Sequence, residues 1–414
     1  MTEKLFLDAL RAALKNEQVL WDMDIQPQTW MELFQMAQKH QILPMVYEAV
    51  YGCPAAQRMD PRFFEMYRKS TMQSVIMQMM RTNEFIELYK YLTEKGCRPI
   101  VMKGIICREL YPNPDHRMSG DEDLLIESEQ FHAVHEALLE YGMSLSDPEM
   151  DIQAAYEVPY GMRGKSIYIE LHKYLFPPDS NAYGEFNQFF KDVFLRAETV
   201  TVQGCEILTM CPTDHLFYLI CHAFKHFLHS GFGIRQVCDI VLFANKYGSL
   251  IDWKTVYNNC RSIHADTFTA SLFKIGKMYL SFDPEQACYP VEWREIFIDE
   301  TAMLADLLDG GIYGDSNMNR KHSSTITLNA VSDDKKGKRG AVSIFRSVFP
   351  PRKEIENRYW YLRKCPVLLP VAWIDRIVHY RREMQHNKMD DAISAIRIGS
   401  RRVELLKKYG IIKE

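Results

Sequence analysis

No C-x-x-C pair occurs in the 414 residues, and the ten cysteines are scattered along the chain. That spacing fits neither a disulfide scaffold nor a zinc ribbon, and it points to reduced thiols in a cytoplasmic chain. There is no excess of positive charge either. The formal net charge is −4, which argues against a general nucleic-acid binder, because neutralising phosphates takes a basic surplus. Long apolar runs are missing: the longest uncharged stretches, such as CPVLLPVAWI at 365–374, are too short for a bilayer and are broken by proline. The first residues, MTEKLFLDALRAALKNE, mix acids and bases without an apolar core and a small-residue cleavage site, so no secretory signal is expected. No internal repeat is found. What is present is an ordinary globular composition, 47% hydrophobic and 25% charged, on a chain long enough for two or three domains.

The texture of the sequence changes along its length. Residues 1–95 read as helices: Trp30, Leu33, Phe34, Ala37 and His40 follow the spacing of an amphipathic stripe. A longer pattern from about Met66 to Leu92 is rich in methionine (Met72, Met77, Met79, Met80), for which adaptable core packing is the expectation and a partner surface the alternative. Residues 96–210 read as a compact α+β unit. CRPIVMKG predicts a short strand and glycine turn, IICREL a helical turn, and DEDLLIE a second strand. SEQFHAVHEALLEYG predicts a helix capped by Ser128 and closed by glycine. KSIYIELHKYL alternates like a half-buried strand, and TVTVQGCEILTM reads as a hairpin around Gln203-Gly204. Helical patterns return over 211–309. Residues 310–342, short of large apolar groups, read as a flexible linker or loop. Residues 343–414 read as an aromatic docking segment (Phe345, Phe349, Trp360, Tyr361, Trp373) and a basic helix with Arg401, Arg402, Lys407 and Lys408, a charge run expected to be a solvated face.

The stretch YPNPDHRMSGDEDLLIE, 111–127, places two acids at the start of an apolar run. Residues two apart on a strand share a face, so Asp121 and Asp123 point one way and Glu122 and Leu124 the other. Two like charges so placed repel unless a cation or hydrogen bonds compensate. A divalent metal is the natural partner, since magnesium takes hard oxygen ligands from one or two carboxylates and from substrate phosphates. Upstream, Gly104 in the turn after Lys103 lets backbone amides approach a phosphate at a helix N-terminus. Downstream, Glu170 shares a strand face with His172, and a third carboxylate there serves either as a metal ligand or as a general base.

That order of strand, glycine turn, helix, D-x-D strand, helix and acid-bearing strand resembles the nucleotidyltransferases of the polymerase-β-like superfold. Within them it is similar to a bacterial uncharacterised family, through Lys103, Gly104, Tyr111, Pro112, Pro114, Arg117, Asp121, Asp123, Leu124, Leu125, Glu170, Leu171 and His172. HAFKHF, IRQVCDI, IDW and the N-terminal WMELFQMAQKHQILPMVYE extend the likeness over most of the chain. The resemblance implies an α+β fold, a small mixed β-sheet core framed by mainly helical N- and C-terminal regions. It implies transfer of a nucleoside monophosphate from an NTP to an unknown acceptor (small molecule, sugar phosphate, peptide or protein) with release of pyrophosphate. Asp121, Asp123 and Glu170 would hold Mg²⁺ or Mn²⁺, with Lys103, Gly104 and Arg117 at the nucleotide; no nucleic acid and no membrane is implied as partner. The sequence departs from the wider superfamily at Ile105, where a small residue usually follows the glycine, and at Glu122, usually apolar. These departures motivate the alternative, a catalytically silent nucleotide-binding or protein-interaction module.

Other polar groups are candidates for an acceptor pocket: His172, His222, His226, Arg235 and Asp239. His222, His226 and His229 share a helical face at a spacing that can bind zinc, but without the glutamate of the metalloprotease motif, and polar lining of a cleft is the expectation. Arg235 and Asp239, one turn apart, are expected to form an intrahelical ion pair. Arg117 either neutralises the triphosphate or braces its loop.

Overall fold

A computed structural model describes residues 1–311 and, beyond them, 324, 326–328, 330–331, 352–355, 359, 361–375 and 391–412. The chain divides into two compact units, Met1–Ala223 with Gly233–Leu304, and Phe224–Phe232 with Ala305–Glu414. Its fold is α+β, with a mixed seven-stranded sheet flanked by helices.

The first unit opens with α1 (Thr2–Leu14), α2 (Pro27–Lys39), α3 (Leu43–Val50), α4 (Pro54–Gln57) and the long α5 (Pro61–Glu94). The stripe expected on α2 is buried in full: Trp30, Leu33, Phe34 and Ala37, with His40 just past its end. Helix α5 starts at Pro61, where Asp60 accepts a hydrogen bond from the Arg62 amide. Its middle inverts the expected pattern. Met72, Met77, Met79 and Met80 are 39–50% exposed, while the polar Thr71, Gln78 and Thr82 are buried. The expected core packing of these methionines is therefore wrong. The buried side of the helix faces polar backbone: Gln78 accepts from the Ser119 amide, Thr82 donates to Asp115, and Arg81 donates to the Ser119 carbonyl.

The strands are β1 (Ile100–Val101), β2 (Glu122–Leu125), β3 (Ser144–Leu145), β4 (Glu157–Gly161), β5 (Tyr168–His172), β6 (Glu198–Val202) and β7 (Cys205–Thr209), in the order β3-β4-β5-β2-β1-β7-β6. β2 runs parallel to β5 and antiparallel to β1; β1 is parallel to β7. Between β6 and β7 the expected hairpin turn is present: Gln203 and Gly204 both adopt positive φ, as a two-residue primed turn requires. Alternation decides the faces. Leu124, Ile169, Leu171, Val158 and Tyr160 form one apolar core with Phe85, Leu88, Tyr89 and Leu92 of α5. Val134 and Leu138 of α7 (Phe131–Tyr141) join them, and α6 (Ile105–Arg108) adds Ile105 and Ile106. Tyr89 ties the layers together, donating to the Pro99 carbonyl and accepting from the Leu208 amide. Asp123 of β2 and Glu170 of β5 are thereby left on the other face. Gly142 closes α7 in the left-handed conformation, as expected. Ser128 instead opens a 3₁₀ turn and makes no side-chain cap.

Helices α8 (Pro212–His229), α9 (Ile234–Tyr247), α10 (Trp253–Ser262), α11 (Asp266–Tyr279), α12 (Val291–Arg294) and α13 (Thr301–Gly310) follow. In the second unit, Ile355, Tyr359, Leu362 and Ala372 pack with Tyr361, Leu369 and Trp373. The helix Asp391–Lys408 is present, but its basic run is not wholly solvated: Arg402 is 3% exposed and lies 2.6 Å from Asp306. Most of the expected linker at 310–342, and Phe345, Phe349 and Trp360, lie outside the described residues; Thr327, within that stretch, is helical and buried.

Candidate active site

Parallel pairing sets Asp123 of β2 directly beside Glu170 of β5. Asp121 sits just before β2, and His172 ends β5 two residues after Glu170. From Asp123, one carboxylate oxygen lies 3.1 Å from Lys103 Nζ and the other 3.3 Å from His172 Nε2. The same imidazole nitrogen is 3.7 Å from Glu170 Oε2, and Nδ1 is 3.7 Å from Glu157 Oε2 on β4. Lys103 also reaches α8, 2.9 Å from His222 Nε2. An ammonium only donates, so His222 Nε2 accepts there and the proton of the neutral ring sits on Nδ1.

The charges respond to one another as such crowding demands. Burial and the neighbouring Asp123 carboxylate push Asp121 up to about 6, against the pull of Lys103. Burial opposes the charge of Asp123 too, but Lys103 and His172 outweigh it and hold this carboxyl well below the usual range. His172 is likewise opposed by burial, yet the neighbouring Asp123 and Glu170 carboxylates raise it to about 9. Lys103, despite burial, is held well above the ordinary ammonium value, chiefly by Asp123. Two cationic groups, Lys103 and His172, thus stand among four acids, Asp121, Asp123, Glu157 and Glu170.

The glycine turn is organised from beneath. Gly104 has φ +49°, and a Cβ there would lie 1.8 Å from Glu122 Oε2. That oxygen accepts from the Ile105 amide at 2.8 Å, and Glu122 Oε1 lies 2.6 Å from Arg108 Nη2 in a fully buried pair. Glu122, placed where an apolar residue is usual, thus occupies the first amide of α6 from the core side. Arg108 also donates to Ser119, and Arg235 to the Met118 carbonyl, so the loop ahead of β2 is gripped by arginines from two sides.

Arg117 belongs to that loop. Its guanidinium makes a bidentate, buried pair with Asp239 at 2.8 and 2.6 Å, and Tyr111 donates to the same carboxylate at 2.7 Å. The expected partner of Asp239 was Arg235; the carboxylate is taken up by Arg117 instead, and Arg235 reaches Gln41.

The residues also fit a divalent cation. Asp123, Glu170 and His172 each offer a ligand atom, all within 4.8 Å of one another, and neither nitrogen of His172 makes a hydrogen bond. Against known families, residues 26–280 match a model described as uncharacterised nucleotidyltransferase. The chain belongs to the uncharacterised nucleotidyltransferase family. Neither the search of curated proteins nor that of solved structures returned a match.

In this nucleotidyltransferase family member, the fold gathers Lys103, Asp121, Asp123, Glu170, His172 and His222 within the first unit. Arg117, Arg235 and Asp239 are engaged in holding the loop at 111–119, and His226 falls in the second unit. Sequence reasoning missed Glu157, Arg108, Ser119 and Gln78. Glu157 left one usable signal, an acid at the start of a strand that alternates; the others meet their partners only through tertiary structure. Among the described residues, no helix is long and apolar enough to cross a membrane.

Proposed function

We propose that the chain transfers a nucleoside monophosphate from an NTP to the hydroxyl or phosphate of an acceptor, with release of pyrophosphate. The observation that carries this reading is the register of β2 and β5, which sets Asp123 beside Glu170 with Asp121 and His172 around them. Asp121, Asp123, Glu170 and His172 would hold a divalent cation, Mg²⁺ or Mn²⁺, which when bound neutralises phosphate charge and polarises phosphate oxygens. Lys103 supplies a fixed positive charge beside them, oriented by His222. Glu170, 28% exposed against 2% for Asp123 and 5% for His172, is the acid that faces the acceptor and takes its proton. The acceptor oxygen then bonds to the α-phosphorus, the bond from that phosphorus to the bridging oxygen breaks, and pyrophosphate leaves with the electron pair.

One observation favours the second reading, a silent nucleotide-binding module. The Ile105 amide, which an open glycine turn would offer to phosphate, is already satisfied by Glu122. The test for both is incubation of the protein with each α-labelled NTP and cell extract. Transfer of label to an acceptor supports the enzyme; Mg·NTP binding with no transfer from any nucleotide supports the module.

A further inference from the structure

His172 has a more specific arrangement than a polar neighbour of the acids requires. It is 4% exposed, and neither ring nitrogen makes a hydrogen bond. Its polar neighbours are three carboxylates, Asp123 at 3.3 Å and Glu170 and Glu157 at 3.7 Å, which pair with the ring when it is protonated and leave Nε2 aimed at shared ligand oxygens when it is neutral. Its two nitrogens face different groups: Nε2 looks into the space shared with Asp123 and Glu170, and Nδ1 looks toward Glu157 on the neighbouring strand. The backbone builds this, since β4 and β5 pair Glu157 with His172 and β2 and β5 pair Asp123 with Glu170. A carboxylate behind one nitrogen and a cluster of ligand oxygens before the other is how metal-binding histidines are set in their tautomer and orientation.

We propose that His172 is a nitrogen ligand of the metal centre, oriented by Glu157, and that the Asp123–Glu170–His172 set selects a first-row transition ion such as Mn²⁺ over Mg²⁺. Carboxylates and water alone suit Mg²⁺, which demands near-ideal octahedral oxygen coordination and gives up its waters reluctantly. An imidazole in the set moves the preference toward transition ions. The inference rests on the metal-binding reading above and makes it narrower.

The test uses the full chain and Mn²⁺ as the probe. Free-ion electron paramagnetic resonance gives Mn²⁺ affinity and its competition by Mg²⁺. Pulsed measurement of the bound ion reads coupling to nitrogen, and protein labelled with ¹⁵N-histidine assigns it. Bound Mn²⁺ in the wild type should show directly coupled histidine nitrogen that changes isotope with the label. His172→Gln should lose that coupling and lower Mn²⁺ affinity by more than the roughly 10–100-fold expected for an orienting partner such as Glu157, with Mg²⁺ affinity changed far less. Glu157→Gln should keep the coupling with weaker Mn²⁺ binding. Bound Mn²⁺ without histidine coupling in the wild type, a measurement that needs no variant to fold, would overturn the proposal while leaving a carboxylate metal site standing. The same holds for His172→Gln with an unchanged Mn²⁺/Mg²⁺ ratio. Mn²⁺ bound equally by wild type and Asp123→Asn would sink the metal centre itself.

Discussion

At the scale of residues, the two aspartates that the D-x-D spacing pairs on one face have opposite relations to stability. Asp121 is an acid whose proton the fold favours, since burial and Asp123 raise it to about 6. Its ionised form therefore destabilises the metal-free protein above about pH 6, and that cost fades as pH falls through 6 toward 4 and the proton binds. Asp121→Asn, uncharged throughout, should melt higher than wild type at pH 8 in chelator, with the difference closing by about pH 4. Asp123 is the reverse case, stabilised as an anion by Lys103 and His172. Asp123→Asn takes from the partly buried Lys103 and the buried His172 their closest carboxylate and should melt lower at pH 8. Thermal melts of the two variants at both pH values check the pair of signs. Spacing made the shared face legible. The asymmetry was not, because it comes from Lys103 and His172, distant in sequence and brought to the acids by β1 and β5.

Elements carry a different lesson. Strands β1, β2, β5, β6 and β7, the glycine turn and the Gln203-Gly204 hairpin were readable because each is set by local alternation and turn chemistry, whereas β3, two residues long, and β4, which carries Pro159, were not read. Helix α5 was read as a helix but with the wrong face inward, because periodicity finds a face and cannot say that Gln78 and Thr82 meet the loop at 115–119 while methionines face outward. Mild peroxide treatment of the native protein followed by peptide mass spectrometry should oxidise Met72, Met77, Met79 and Met80 well before Met102 and Met303, both fully buried. Equal rates would contradict the exposed face. Beneath the active face, the Glu122–Arg108 pair fixes the turn that carries Lys103. Glu122→Gln leaves Arg108 buried and unpaired and should cost about 3–5 kcal/mol in denaturant melts, whereas replacing both by leucine should cost clearly less than the sum of the single changes. Gly104→Ala should destabilise as well, because its Cβ meets Glu122 and its φ is positive.

Taken as a whole molecule, the chain spends its first unit on building and bracing one acidic face. Helices before and after the sheet contribute Gln78, Arg81, Arg235 and Asp239 to the loop that leads into β2, and α8 brings His222 to Lys103. The family match over residues 26–280 falls within the span of this first unit's chain and its excursion at Phe224–Phe232. The D-x-D, the glycine turn and the ELH strand were enough to suggest the family. The role of Arg117 as a loop brace was not decidable until Asp239 was seen to hold it. The most direct measurement is the rate of label transfer from an α-labelled NTP to acceptor in extract, beside Mg·NTP affinity, for wild type, Asp121→Asn, Asp123→Asn and Glu170→Gln. Each aspartate variant should lose roughly two or more orders of magnitude in rate together with nucleotide binding, and Glu170→Gln should keep most of its binding and lose turnover. Aspartate variants that stay folded and bind Mg·NTP and transfer label as wild type does would contradict a catalytic role for these carboxylates.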